Sequence, residues 1–360
     1  MSRDSTRSGM LLQAESAISC NISCTMCPWG RERARAGDGL MGEEVWSAIR
    51  PHLGGFRYVD LSGGGEPMLN PRLAGRLSEA VNAGCKAGFL TNATLLDAQA
   101  ASEILLADPD WIGVSLDGAR PETYESIRRG ADFETVTGNV RRLSAMRSGE
   151  RPAIYVQCVV MPANLEELPE MVRLAAELGA ARLVLKNCDV VRTEAAQQAA
   201  VYAGGGRDGG KKLKKALKAA EKAAAKLGLD LASYSAKPDE LPACEQDPRR
   251  SFFVAYDGRV APCIGLAYGG EGRFFGEKTT FPSVIYGRLP DDDLMELGRC
   301  GAAALYKEVF DRREAAYGRA LSRISGDLDL VKFKRLMAEA AESMPAAPPG
   351  CNRCHYLYGV

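Results

Sequence analysis

The sequence predicts an α/β fold in which short strands and helices alternate along the first two-thirds of the chain. Three observations support this: six apolar segments of strand length, a helical pattern after each of them, and unusual polar or cysteine-rich segments directly after four of them. Strands joined by helices form parallel sheets with right-handed crossovers. Six such units can build either an open doubly wound sheet or a partial barrel.

The predicted strands are Leu11 to Ile18, Tyr58 to Leu61, Ala87 to Leu90, Trp111 to Leu116, Ala153 to Val160 and Ala181 to Leu185. The predicted helices are Glu43 to His52, Pro71 to Ala83, Asp97 to Ala107, Pro121 to Arg147 with a break at Gly130, Leu165 to Leu178 and Lys211 to Leu227. Barrel-like folds place their chemistry at the carboxyl ends of strands. Distinctive residues follow four of these strands. A cysteine cluster follows the first strand, Ser62 to Pro67 follow the second, Thr91-Asn92 follow the third, and Asp117-Gly118 follow the fourth. This arrangement predicts one shared site at the rim.

The pattern changes after residue 235, and we predict two domains, residues 1–235 and 236–360. Phe252 to Ala255 and Val260 to Ala261, joined by Asp257-Gly258, are typical of a β-hairpin. Helices are expected near Ala302 to Ile324 and Leu328 to Met344. We predict a flexible loop at Gly204 to Gly210. The lysine-rich segment Lys211 to Lys215 is interpreted as the solvated first turn of a helix.

Composition excludes several classes of protein. The chain has 46 Lys plus Arg and 46 Asp plus Glu, so the formal net charge is zero and there is no bulk electrostatic case for a DNA, RNA or anionic-membrane binder. Its 46% hydrophobic and 26% charged residues are typical of a globular protein and exclude a disordered or fibrous one. No apolar run approaches the ~18 residues of a membrane span, and the polar start is unlike a signal peptide. We therefore expect a cytoplasmic protein.

Eleven cysteines is an odd number, and a cytoplasmic compartment keeps thiols reduced, so metal or redox chemistry is favoured over a disulfide framework. Four isolated cysteines, namely Cys85, Cys158, Cys188 and Cys300, are interpreted as small core hydrophobes. Cys20, Cys24 and Cys27 are close enough in sequence to converge on one inorganic cluster. Three protein ligands on a four-iron cluster leave one iron open for chemistry, whereas a structural zinc would need a fourth nearby ligand.

The segment Cys20-Asn-Ile-Ser-Cys24-Thr-Met-Cys27-Pro28 resembles the signature of the radical S-adenosylmethionine (SAM) superfamily. The resemblance implies a partial (β/α)6 barrel, a 4Fe-4S cluster held by the three cysteines, and SAM as cofactor. Gly64-Gly65-Glu66 resembles the family motif that holds the SAM amino group, with glycines that permit close approach of the ligand. As a dinucleotide fingerprint the same segment fails, because no third glycine follows at the required spacing.

Further SAM-binding residues follow from the same resemblance: Met26 beside adenine, Asn92 after the third strand, and Ser115 and Arg128 around the fourth strand and its helix. Arg129 is an alternative to Arg128. A plain structural role for either arginine, such as pairing with Glu125, also remains open.

The second cysteine set consists of Cys244, Cys263, Cys351 and Cys354, enough for a zinc ion or a fully ligated iron-sulfur cluster. Cys351-Asn-Arg-Cys354-His355 also matches the c-type haem attachment motif, although that motif belongs to exported proteins. The order of these cysteines around the hairpin resembles the SPASM or twitch domain, a small α+β unit that holds an auxiliary 4Fe-4S cluster. Cys300 is a doubtful substitute ligand.

The family resemblance implies an enzyme that reductively cleaves SAM to a 5'-deoxyadenosyl radical, which takes a hydrogen atom from substrate. A fully ligated auxiliary cluster suits electron acceptance, so we expect an oxidoreductase, supplied with electrons by a partner such as flavodoxin or ferredoxin. Only nineteen residues precede Cys20, which favours a small-molecule substrate over a ribosomal peptide. A peptide or protein maturase and a non-catalytic iron-sulfur carrier or redox sensor are the alternatives. Candidates to point into the barrel are Asp60, Tyr155, Gln157, Lys186 and Asn187, and the catalytic residue is not identified.

Overall fold

The computed structural model describes residues 10–201, 207–235, 238–322 and 330–360. Its strands are β1 (Leu11–Ala14), β2 (Ser23–Cys24), β3 (Tyr58–Asp60), β4 (Lys86–Thr91), β5 (Trp111–Ser115), β6 (Arg128–Arg129), β7 (Ala153–Val160), β8 (Arg182–Asn187), β9 (Asp230–Ser233), β10 (Ser251–Val254), β11 (Arg259–Ala261), β12 (Gly270–Phe274), β13 (Glu277–Phe281) and β14 (Gly287–Arg288). Its helices are α1 (Gly30–Arg33), α2 (Glu43–Ile49), α3 (Leu73–Asn82), α4 (Ala98–Leu106), α5 (Pro121–Ile127), α6 (Phe133–Met146), α7 (Leu168–Glu177), α8 (Glu194–Ala199), α9 (Arg207–Leu227), α10 (Ile264–Tyr268), α11 (Leu294–Leu297), α12 (Gly301–Leu321) and α13 (Leu330–Ser343).

One sheet organises the chain, in the order β14-β11-β10-β1-β3-β4-β5-β7-β8-β9. The pairs from β10 through β1 to β9 are all parallel, and β11 and β14 are antiparallel additions. The order ends at β14 on one side and β9 on the other. The predicted α/β fold with a partial barrel of parallel strands is thereby confirmed.

All six predicted strands and the six helices that follow them are present. The first strand ends at Ala14 and not at Ile18, because Ile18 N bonds instead to Gly39 O at 2.8 Å and the chain leaves the sheet. Sequence reasoning did not identify β9, the short helices α1, α8, α10 and α11, or the separate hairpin β12–β13. These elements are too short or too weakly apolar for their periodicity to stand out.

The predicted break at Gly130 is confirmed and has a structural reason. Gly130 has φ of +93°, a left-handed conformation that ends the helical path between α5 and α6. Arg128 and Arg129 consequently form β6, which pairs with β2. Asp132 then accepts a hydrogen bond from Thr135 N at 2.7 Å and starts α6.

The predicted hairpin is also confirmed, as β10 and β11 joined through Asp257-Gly258. β10 pairs in parallel with β1, in the register Leu11 to Ser251 through Ala14 to Val254, so the main sheet continues past residue 236. The division into residues 1–235 and 236–360 stays a prediction, but the two parts share this sheet. Ala236 and Lys237, at the proposed boundary, lie outside the described residues.

The C-terminal helices α12 and α13 match the predicted pair, although residues 323–329, which include Ile324 and Leu328, lie outside the described part of the chain. The loop predicted at Gly204 to Gly210 falls partly there too, and α9 already begins at Arg207. Lys211, Lys212, Lys214 and Lys215 are exposed on α9, as expected for a solvated helix face, while Leu213 is buried.

The core lies between the sheet and its helices. Alternate residues of β7 are buried beneath the helices, and the other set faces the opposite side of the sheet. Cys85, Cys158 and Cys188 are buried as predicted, whereas Cys300 is half-buried, so the interpretation of Cys300 as a core residue is wrong. Among the described residues, no helix is long and apolar enough to cross a membrane.

The packing at Gly88 of β4 gives a stability prediction. A Cβ atom there would lie 2.2 Å from Trp111 O and 2.4 Å from the Trp111 ring, so Gly88→Ala should lower the free energy of unfolding by about 1–3 kcal/mol through overpacking. The matched control is Gly75→Ala on the exposed face of α3, where a Cβ meets nothing within 4 Å and stability should stay equal or rise by up to about 1 kcal/mol. Urea unfolding of both variants measures the difference. Equal stabilities would contradict the placement of Trp111 over Gly88.

Candidate active site

A cavity of about 400 Å³ opens at the carboxyl ends of the parallel strands. Nine of the ten residues predicted for the first cluster and SAM line it: Cys20, Cys24, Met26, Cys27, Gly65, Glu66, Asn92, Ser115 and Arg128. Gly64 does not line the cavity. The predicted shared site at the rim thus corresponds to one cavity, and the roles of these residues remain predictions.

The cysteine loop is held against the strand that carries Arg128. β2 and β6 pair antiparallel, with Cys24 opposite Arg128. Thr25 N donates to Ile127 O at 2.9 Å, and Cys27 N donates to Cys24 O at 3.2 Å. Arg128 Nη1 lies 3.9 Å from Cys24 Sγ. Burial raises the pKa of the Cys24 thiol to about 11, although the charge of Arg128 acts against that shift.

Arg128 is fixed from behind by Asp117, which is fully buried. Arg128 Nε lies 2.8 Å from Asp117 Oδ2, and the other carboxylate oxygen of Asp117 accepts from Val159 N at 2.7 Å. Burial acts to lower the pKa of Arg128, but Asp117 and Cys24 raise it overall, so the guanidinium keeps its charge. Arg129 is exposed, which distinguishes the two arginines: Arg128 faces the cavity, and its partner is Asp117 and not Glu125.

Gly64 and Gly65 pack directly against Ile18 and Ser19, which leave no room for a side chain at either position. A Cβ on Gly65 would lie 2.1 Å from Ser19 O, and one on Gly64 would lie 2.3 Å from Ile18 Cδ1. Gly65 N and Glu66 N donate to Ala17 O and Ser19 O, at 3.1 and 2.8 Å. The absence of side chains here admits the segment that leads into the cysteine loop, and the role of these glycines toward SAM stays a prediction.

Glu66 is buried and holds the next loop in place. Its carboxylate accepts hydrogen bonds from Thr91 Oγ1 at 2.6 Å, Asn92 N at 2.7 Å and Met68 N at 3.2 Å. Burial raises the pKa of the Glu66 carboxyl, and these hydrogen bonds act in the opposite direction. Asn92 is thereby positioned with Nδ2 at 3.8 Å from Cys20 Sγ.

The five residues predicted to point into the barrel, namely Asp60, Tyr155, Gln157, Lys186 and Asn187, all line the same cavity. Lys186 Nζ lies 3.2 Å from Glu245 Oε1 and is 5.1 and 5.3 Å from the ring centroids of Tyr234 and Tyr356. Alternation along β7 and β8 accounts for Tyr155, Gln157 and Lys186, which belong to the partly exposed sets of these strands. Asn187 belongs to the buried set and borders the cavity from the end of β8.

A second, smaller cavity of about 60 Å³ is lined by Cys244, Cys263, Cys351 and Cys354, the four cysteines of the predicted auxiliary set. Burial raises the pKa of each, to about 12 for Cys244, and the neighbouring thiols contribute to the shifts of Cys244, Cys351 and Cys354. Cys300 does not line this cavity. Within the described ranges, no three His, Cys, Asp or Glu side chains are arranged to hold a single metal ion, so the grouping of the thiols is defined by their cavity.

The two cavities share one wall, made of Asp189, Val190, Gln246, Ile264 and Tyr356. Asp189 and Tyr356 are deeply buried and hydrogen-bonded to each other through their side chains. Only one layer of residues therefore separates the first cavity from the second.

His355 has a structural role in the described conformation. Its Nδ1 lies 2.7 Å from Asp189 O, and Phe275 N donates to Nε2 at 3.2 Å. Burial lowers the pKa of His355 to about 4, so a neutral ring with a proton on Nδ1 satisfies both contacts. Both ring nitrogens are thus used in joining the C-terminal turn to Asp189 and to the hairpin β12–β13, which does not support the haem alternative.

Several important residues were not singled out from the sequence. Asp117 was noted only as part of a loop, yet its place at the end of β5 was a usable signal. Glu15 bonds the Gly64 loop, and Arg33 donates to Ile18 O at 3.1 Å and to Gly64 O. Neither stands in a recognisable motif, and both contacts join segments far apart in the chain.

The Arg128–Asp117 pair leads to a prediction. Arg128→Gln leaves a fully buried carboxylate without its cation, which should cost about 3–5 kcal/mol of unfolding free energy. Arg129→Gln, on the exposed neighbour, should change it by less than about 0.5 kcal/mol. Urea unfolding of the two variants without added iron measures both; equal losses would contradict the buried pair.

Comparisons with known proteins agree with this geometry. Residues 16–175 match the family model described as the radical SAM superfamily. The tungsten-containing aldehyde ferredoxin oxidoreductase cofactor-modifying protein of Pyrococcus furiosus is 23% identical over 296 residues, 79% of this chain and 80% of that protein. The PqqA peptide cyclase of Granulibacter bethesdensis is 28% identical over 49% of this chain, which spans only 47% of that relative.

Among solved structures, anSMEcpe with bound AdoMet shares the fold at a TM-score of 0.61, with 16% sequence identity and coverage of 92% of this chain and 96% of that one. The similarity of fold therefore extends beyond the segment that the family model matches. Residues 16–175 are thus the part of the chain that is similar to the radical SAM superfamily.

Proposed function

We propose that this protein is a radical SAM enzyme that oxidises its substrate with the help of an auxiliary 4Fe-4S cluster. One observation carries the proposal: the cavity of the three motif cysteines shares a wall with the cavity of the other four. The second set of thiols thus lies one layer of residues away from the space where a substrate would lie.

The residues of the first cavity fit a 4Fe-4S cluster and SAM. Cys20, Cys24 and Cys27 would hold three irons and leave the fourth open. Asn92 Nδ2 and Arg128 Nη1 are N–H donors at 3.8 and 3.9 Å from thiol sulfurs, a contact that stabilises thiolate charge. When bound, the cluster and SAM supply one-electron cleavage of the sulfonium and a 5'-deoxyadenosyl radical, which takes hydrogen from substrate.

The chain's own residues would position these groups. Glu66 orders the Thr91–Asn92 loop, Asp117 directs Arg128 toward the cavity, and Met26 offers an apolar surface for the adenine. Ser115 adds a buried hydroxyl at the end of β5. The strands exclude bulk water from the deeper part, which protects a reactive intermediate.

The four cysteines around the second cavity match the four irons of an auxiliary 4Fe-4S cluster. Full ligation would leave no coordination site for substrate. Such a cluster supplies an electron acceptor for a substrate radical. A zinc ion with the same ligands is the alternative. It would need the thiols grouped around one point, an arrangement that the described residues do not show, and metal analysis distinguishes the two.

A small molecule is the proposed substrate, because the cluster and SAM would fill much of the cavity of about 400 Å³ and leave little space beside them. The second candidate is a peptide or protein maturase, favoured by the resemblance to the PqqA peptide cyclase. A low-potential reductant such as flavodoxin or ferredoxin is the proposed electron donor. A carrier without SAM chemistry is disfavoured, because it needs no SAM site beside its cluster.

Iron content and SAM cleavage test the first site. Anaerobically reconstituted protein should hold about eight irons per chain, and the dithionite-reduced form should release 5'-deoxyadenosine slowly without substrate. Cys24→Ala should remove about half the iron and abolish this release. Cys188→Ala, which alters the same cavity wall outside the motif, should keep both. Intact protein with a reducible first cluster that neither binds nor cleaves SAM would favour the carrier.

The second site has its own test. Cys351→Ala should lose the auxiliary iron but retain SAM cleavage and, with substrate, yield 5'-deoxyadenosine without product. Cys300→Ala, outside the cavity, should behave as wild type. A purely structural cluster predicts a different outcome for Cys351→Ala: lower thermal stability and equal damage to SAM cleavage and product formation, because metal-binding energy is folding energy. About four irons with tail-bound zinc in the wild type would rule out the auxiliary cluster.

A further inference from the structure

Asp60 occupies an unusual position in the floor of the first cavity. It is the last residue of β3, where it pairs with Gln13 of β1 on one side and Gly88 of β4 on the other. The carboxyl keeps partial exposure, but that surface faces the cavity, because the group lies deep within the protein. Burial raises the pKa of Asp60, as expected for a carboxylate with little compensation.

The acids that line this cavity differ in how they are compensated. Glu66 accepts from three donors on the segments around it, Thr91, Asn92 and Met68. Asp189 is bonded by Tyr356 and lies close enough to Lys186 for that charge to lower its pKa. Asp60 receives hydrogen bonds only from Ser62, two residues further along, and within the described ranges no Lys, Arg or His stands at ion-pair distance from it.

Lys186, the cation whose charge acts on Asp60, is already paired with another carboxylate. Lys186 lies 3.2 Å from Glu245 and between the rings of Tyr234 and Tyr356. Its charge acts on Asp60 only at longer range. When it is ionised, Asp60 therefore places a negative charge in the cavity that has no ion-pair partner among the described residues.

Ser62 fixes the orientation of the Asp60 carboxylate. Ser62 N donates to Asp60 Oδ1 at 2.9 Å. Ser62 Oγ accepts from Leu90 N at 2.7 Å, and its own proton is directed at the Asp60 carboxylate. Both donors belong to Ser62, and among the described residues no other donor takes up the remaining acceptor positions of Asp60.

The surroundings suit an organic cation. Gln13 and Gln157 put amide groups into the same cavity, and Trp111 and Tyr155 are stacked at its base with ring centroids 6.4 Å apart. Positive nitrogen groups bind where a carboxylate, amide oxygens and aromatic faces converge. A group that binds there would remove the cost of burying the Asp60 charge.

We propose that Asp60 is a substrate-binding residue and that the floor of the cavity takes a substrate with a positively charged nitrogen group, an ammonium or a guanidinium. This rests on the proposed function, because it treats the deeper part of the cavity as the substrate site and the rim as the SAM site. The cation binds between the Asp60 carboxylate and the amides of Gln13 and Gln157. The rest of the substrate then extends upward toward the rim.

Two isosteric probes test the proposal on the anaerobically reconstituted full chain. Butylguanidinium and butylurea have nearly the same shape and differ in charge. By isothermal titration, the wild type should bind butylguanidinium at least about tenfold more tightly than butylurea, a difference of about 1.4 kcal/mol. Asp60→Asn should bring the ratio to about one, and Asp60→Glu, which keeps the charge, should preserve the preference.

Asp189→Asn, at a second acid that lines the same cavity, is the matched control and should keep the wild-type ratio. Equal binding of the two probes by wild type, or a preference that persists in Asp60→Asn or disappears in Asp189→Asn, would overturn the assignment. SAM affinity and SAM cleavage are measured on the same preparations and should be unchanged in Asp60→Asn. Loss of SAM affinity in that variant would assign Asp60 to SAM and also overturn the proposal.

These measurements distinguish failure of the cation site from failure of the proposed radical SAM function. A chain that never cleaves SAM but shows the Asp60-dependent preference contradicts the proposed function and retains the cation site. A chain that cleaves SAM and makes no distinction between the probes contradicts the cation site and retains the proposed function.

Discussion

The buried carboxylate of Glu15 joins the parts of this structure that have to be in register. It follows β1, the strand between β10 and β3, and it accepts hydrogen bonds in two directions. Oε1 accepts from Gly64 N at 2.7 Å, and Oε2 accepts from Tyr256 N at 3.1 Å and from the Tyr268 hydroxyl. Burial raises the pKa of Glu15, and these three donors act in the opposite direction. The glycine loop at the first cavity and the helix after Cys263 are thereby tied to one side chain.

A second constraint acts on the opposite side of the first cavity. The pair of Asp117 and Arg128 connects the end of β5 to β6, and β6 holds the cysteine loop through β2. Such a pair costs desolvation and stabilises the fold only if its hydrogen bonds are satisfied. Asp117 meets that condition through Val159 N and Arg128 Nε. The loop with Cys24 is therefore positioned by a buried ion pair as well as by the short pairing of β2 with β6.

Local pattern was enough to predict the parallel sheet, the helix break at Gly130 and the hairpin at Asp257-Gly258. Each depends on residues close together in sequence, as periodicity and turn chemistry do. Most of the candidate site was predicted as well, since its residues follow strand ends and parallel strands end at one rim. Glu15, Arg33 and the choice between Arg128 and Arg129 were out of reach. Their roles depend on contacts between segments far apart in the chain, and only burial distinguishes the two arginines.

The same reasoning explains why the C-terminal part was predicted as a separate unit although it shares the main sheet. Nothing in the alternation of Phe252 to Ala255 indicates that its strand pairs with β1, because pairing partners leave no local signal in a buried strand. The pairing has a mechanical consequence. Cys263 stands two residues after β11, and the motif cysteines follow β1. Only β10 lies between these two strands, so one sheet sets the separation of the two thiol groups. In the proposed enzyme, a rigid sheet and not a flexible linker would keep the auxiliary site beside the substrate, which electron transfer over short distances requires.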